Sequence, residues 1–121
     1  MATETRETVD LIGSDKVEGT AVYDAHGERM GTIKRVMLAK RSGHVAYAVL
    51  SFGGFLGIGS DSYPMPWDAL KYDTSLGGYR TTITEQQFKG APKYQGDTWD
   101  WEDYERRRNV RDYYNTPLME H

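Results

Sequence analysis

Four arginines near the end of the sequence, Arg106, Arg107, Arg108 and Arg111, are interleaved with Trp99, Trp101, Tyr104, Tyr113 and Tyr114. Cationic groups among aromatic rings can hold single-stranded nucleic acid by charge and base stacking. Asp97, Asp100, Glu102, Asp103, Glu105 and Asp112 share the segment and largely cancel its field. The favoured reading is therefore a helix whose aromatic residues bury against a β-domain, its own or a partner's. Burying one tryptophan ring contributes on the order of 2–3 kcal/mol, enough to hold a short helix. RNA- or ribosome-linked binding through Arg106, Arg107, Arg108 and Arg111 is the alternative.

Other reactive types are scattered. His26, His44 and His121 show no metal-ligand spacing, and the chain has no cysteine, which removes disulfides and thiolate chemistry. Asp24, Glu28, Asp61, Asp68 and Asp73 follow no pattern and read as turn caps and solvated surface. No G-x-S-x-G or H-E-x-x-H occurs. The glycine-rich run at residues 53–59 lacks the Lys-Ser/Thr ending of a P-loop, so it reads as turn geometry. Phe55, Leu56 and Ile58 within that run are apolar tips, either tucked over the end of the domain or offered as a contact surface. No catalytic residue, cofactor or metal is expected.

The elements that must carry these groups are mostly strands. Residues 20–23 form a short strand, residues 24–28 a turn, and residues 31–40 a second strand. Ile33 and Val36 are an odd number apart, so a β-bulge near Lys34 and Arg35 is needed to keep both on the core side. Residues 45–52 are apolar on both faces, which makes this strand central and requires a cover for its outer face. Pro64 and Pro66 place residues 62–67 at a sheet edge, continued by residues 70–72. Residues 79–83 form the last strand. Thr84 and Gln87 make a capping box that opens one helical turn, ended by Gly90 and Pro92. A helix is expected over residues 97–109, capped by Asp97 and supported by Glu102–Arg106 and Asp103–Arg107 pairs.

This arrangement predicts an all-β domain: a small, strongly bent antiparallel barrel with a helical turn after its last strand and a helical tail. The organisation is an N-terminal arm at 1–16, the barrel at 17–92, and a linker, aromatic-charged helix and tail at 93–121. At 121 residues and a formal charge of −3, one domain with no global pull on nucleic acid or anionic membrane is expected. The polar opening residues suggest no signal peptide, and no apolar run reaches the roughly 20 residues of a membrane span. A cytoplasmic protein without membrane insertion is expected.

Residues 17–24, 27–33, 43–50, 53–57 and 64–70 together resemble, in order and spacing, the PRC-barrel family, and most closely its stand-alone bacterial members. The resemblance covers roughly residues 8–92. It implies a small SH3-like barrel used as a scaffold or docking module, with no catalytic motif to carry over. Other members occur as the cytoplasmic barrel of the reaction-centre H subunit and as the C-terminal barrel of the ribosome maturation factor. The membrane helix of the former and the preceding barrel of the latter have no counterpart in this sequence, so neither role transfers. The expected function is non-catalytic protein binding with self-association as a homodimer, alongside an unidentified protein partner. The candidate surface is Phe55, Leu56, Ile58, Trp99, Trp101 and Tyr104.

Overall fold

A computed structural model describes residues 7–8, 10–52, 61–95 and 99–114. The elements in chain order are α1 (Ser14–Val17), β1 (Ala21–Tyr23), β2 (Arg29–Leu38), β3 (Val45–Ser51), β4 (Asp61–Pro66), a 3₁₀ turn (Trp67–Ala69), β5 (Lys71–Asp73), β6 (Gly78–Arg80), α2 (Glu85–Lys89), β7 (Tyr94–Gln95) and α3 (Tyr104–Tyr113). The strands form one sheet in the order β5-β6-β1-β2-β3-β4-β7. The fold is thus mostly β with short helices.

Local chemistry explains the meander at its centre. Asp24 Oδ1 accepts the backbone N–H groups of His26 and Glu28, and Gly27 takes φ 82°, so the β1–β2 turn closes without a Cβ clash. The expected bulge in β2 is present: Ile33 pairs with Leu50, but the next partner of β3 is Arg35 opposite Val49. The extra residue keeps Ile33 fully buried while Val36 still packs on the core. β3 pairs with β2 on one side and β4 on the other, the central position its two apolar faces require. Tyr47, Ala48, Val49 and Leu50 are all buried.

Several expectations are corrected. The sheet is not wholly antiparallel, because β1 and β6 run parallel, with Val22 opposite Tyr79. Among the described residues no pairing joins β5 to β7, so hydrogen bonds do not close the sheet. Residues 70–72 do not extend the edge of β4. The 3₁₀ turn, with Leu70 N–H donating to the Trp67 carbonyl, redirects the chain to the far end of the sheet, where β5 pairs β6. The strand expected over residues 79–83 is the short β6, which stops at Arg80, and it is not the last, because β7 follows α2. β4 is next to the edge, since Asp61 and Ser62 pair with β7. Both of its prolines lie beyond that pairing, where the missing N–H costs no ladder bond.

The helices close the core. The Thr84–Gln87 capping box forms in both directions, at 3.2 and 2.8 Å, and starts α2. Phe88 is fully buried and meets Phe52 at 4.7 Å between ring centres. α3 begins at Tyr104, not near residue 97, because Asp103 is the cap and accepts from Glu105 and Arg106 N–H. Trp99, Trp101 and Glu102 therefore precede the helix. Asp103 pairs with Arg106 at 3.3 Å. The helix does not end near residue 109 but runs to Tyr113, and Val110 and Tyr114 belong to the same core cluster as Val22 and Leu50.

Candidate interaction surface

The outer face of β3 is covered by this chain's own C-terminal segment. Trp101 lies 5.2 Å from the Tyr47 ring, Trp99 stands 6.1 Å from Trp101, and Tyr94 is 5.3 Å from Trp99. α3 packs on β4. Its Tyr113 hydroxyl donates to the Gln87 carbonyl and so ties α3 to α2. A marginal ten-residue helix is stabilised here by docking, as its length requires.

The arginines divide into two groups. Arg111 points into the core, 3% exposed, with Nε donating to the Tyr47 hydroxyl at 3.1 Å and Cζ 4.8 Å from the ring centre. Burial lowers its pKa, the Asp68 carboxylate opposes that shift, and Arg107 reinforces it. A guanidinium stays protonated in such a site. Arg106 lies 5.6 Å from the centre of the Trp99 ring, while Arg107 and Arg108 flank Tyr104 at 5.7 and 5.0 Å. Two rings of the segment, Trp99 and Tyr104, thus already lie against cations of the same chain.

Between the tip of the β2–β3 hairpin and this segment lies a groove of about 270 Å³. Met37, Leu38, Ala46, Tyr47 and Trp101 supply its apolar surface, and Lys40, Arg41 and Arg107 make it basic. Leu38 is 54% exposed, and Tyr104 beside the helix cap is also exposed. Of the residues expected at the surface, Trp101 lines this groove and Trp99 and Tyr104 do not, while the floor contributed by the hairpin was not expected. The signal was available in Tyr47, on the doubly apolar strand. Phe55, Leu56 and Ile58 lie outside the described residues.

The carboxylates serve turns. Hydrogen bonds from Glu28 and His26 backbone N–H hold Asp24 below the usual carboxylate range, against a smaller effect of burial. Asp73 is lowered first by the Ser75 side chain and also by backbone N–H groups and Arg80, which it meets at 3.3 Å. Asp61 pairs with Lys93 at 3.5 Å. Burial raises the hydroxyl pKa of Tyr63 and, more strongly, of Tyr114. His26 and His44 sit exposed in turns, and His121 lies outside the described residues. Among the described residues no three His, Cys, Asp or Glu side chains gather as a metal site, and no helix is long and apolar enough to cross a membrane.

The fold and surface define a small β-domain whose sheet is capped by its own aromatic segment. The sequence matches the PRC-barrel domain family over residues 10–87, well over half of the chain, and the protein belongs to that family. None of the curated proteins matches it significantly.

Proposed function

We propose that this protein is a non-catalytic docking module that acts in the cytoplasm and self-associates. The observation that carries this reading is the groove at the hairpin tip, with its apolar floor, basic rim and half-exposed Leu38. Exposed apolar surface rimmed by polar residues is the usual mark of a protein contact site. Family membership supports the same reading, since PRC-barrel domains generally serve as non-catalytic modules. The turn-serving roles of Asp24 and Asp73 support it as well. A rolled, barrel-like sheet belongs to this proposal, with α2 and α3 supplying side chains where hydrogen bonds leave the sheet open. Phe88 and Tyr114, both buried in the common core, support that form.

Sedimentation equilibrium of the full chain at micromolar concentration tests the proposal. A species of about twice the 13.8 kDa chain mass is expected. A single 13.8 kDa species across that range would overturn self-association.

A further inference from the structure

The N-terminal segment carries a feature that no catalytic or core role absorbs. Residues 7, 8 and 10–12 take part in a pinned turn. Thr8 N–H donates to the Leu11 carbonyl at 2.7 Å, and Leu11 N–H donates to Thr8 Oγ1 at 3.0 Å. Glu7 and Ile12 form an antiparallel bridge. Glu7 is anchored in turn by Lys16 at 2.7 Å and by the Tyr72 hydroxyl, while Ile12 packs on the core. The pinned turn leaves Leu11 at 73% exposure, the highest of the large hydrophobic side chains described, on the rim of a depression that it and Asp10 share with Trp67, Leu70 and Tyr72. Asp10 stands next to it and is exposed.

A lone exposed leucine is ordinary on a protein surface. This one sits beside a carboxylate, and the same chain carries a groove with the complementary pair of properties. Its floor is apolar, and its rim includes Lys40 and Arg41, both exposed. Among the described residues neither cation has a carboxylate partner, and neither has Asp10 a cationic one. The groove's volume of about 270 Å³ has room for an isobutyl group.

We propose that Leu11 and Asp10 of one copy occupy the hairpin groove of a second copy, with Leu11 on the apolar floor and Asp10 against Lys40 and Arg41. This rests on the self-association proposed above and names its contact. Each chain carries both halves, so a two-fold pair makes the contact twice.

Complementation of full-length variants tests it by sedimentation velocity. Leu11→Ser removes the knob and leaves the groove, whereas Arg41→Glu spoils the groove and leaves the knob. Both sites are exposed, so unchanged circular dichroism is expected. Each variant alone should dissociate with a dissociation constant raised at least about ten-fold. An equimolar mixture should regain association, because one sound knob then meets one sound groove. The pair Asp10→Lys and Lys40→Glu repeats the test through charge alone, and raised salt should weaken the wild-type contact. Variants that associate like the wild type, or mixtures that stay as dissociated as their components, overturn this contact while leaving self-association standing. A monomeric wild type overturns both.

Discussion

Arg111 and Tyr47 meet in the core through two different groups: the guanidinium faces the ring, and its Nε donates to the hydroxyl of that same ring at 3.1 Å. The pair joins the last helix to the central strand. Truncating Arg111 to alanine removes the stem packing, the cation–π contact and the hydrogen bond together. A loss of about 2–3 kcal/mol in urea unfolding is expected for Arg111→Ala. Arg111→Met retains the volume without a buried charge and should stay within about 1 kcal/mol of the wild type. An alanine variant as stable as the wild type would mean that α3 is not seated as described.

The Tyr72–Glu7 contact gives a spectroscopic handle on the N-terminal turn. Hydrogen bonding to Glu7, ahead of burial, pushes the Tyr72 hydroxyl up to about 12. Lys16 first and Tyr72 second hold the Glu7 carboxyl below its usual range. Folding thus favours neutral Tyr72, so its contribution is complete below the ordinary tyrosine value near 10 and is lost as pH rises toward 12. Glu7 behaves oppositely: its contribution is present above the ordinary carboxylate range and fades as pH falls through its lowered value. Glu7→Gln should bring one tyrosine titration, followed by ultraviolet difference absorbance, back toward 10. An unchanged titration curve would count against the contact.

Gly31 faces a close backbone approach. A Cβ built there would lie 2.3 Å from the Ser51 carbonyl oxygen and 2.9 Å from Phe52 Cδ1. The neighbour is backbone in a paired strand and cannot swing away. Gly31→Ala should therefore cost about 1–3 kcal/mol by thermal or chemical unfolding. A neutral effect would mean that β2 and β3 can separate freely at this point.

The C-terminal segment is an integral cover. A chain ending at Pro92 loses Trp101 from Tyr47 and loses Val110 and Tyr114 from the core. Exposure of that surface should raise binding of a hydrophobic dye and broaden the unfolding transition. Equal dye binding by the shortened and full chains would show that the sheet does not need its cap.

The β2 bulge, the capping box at Thr84 and the central place of β3 were all legible because each is written in local spacing. The odd interval from Ile33 to Val36 admits few solutions, and Thr84 with Gln87 can satisfy two backbone donors at once. The start of α3 was not legible, because Asp97 and Asp103 are equally suitable caps and only docking chooses between them. The parallel β1–β6 pair was hidden because nothing near Val22 refers to Tyr79. Arg111 was misplaced to the surface because a charge reads as solvated until a partner such as Tyr47 is brought to it. Met37 and Leu38 were read as ordinary strand residues because the groove exists only once residues 99–114 fold back over the hairpin.

The parallel pair carries a kinetic consequence. β2, β3 and β4 are neighbours in sequence as well as in space, whereas residue 22 waits for residue 79. Closing so long a loop costs entropy before any contact repays it, so the meander should assemble early and the junction late. Substitutions at Ile33 or Leu50 should then slow refolding, while Tyr79→Phe or Val22→Ala should mainly speed unfolding. During synthesis one border of β1 accordingly stays bare until the ribosome has released the strand that shields it.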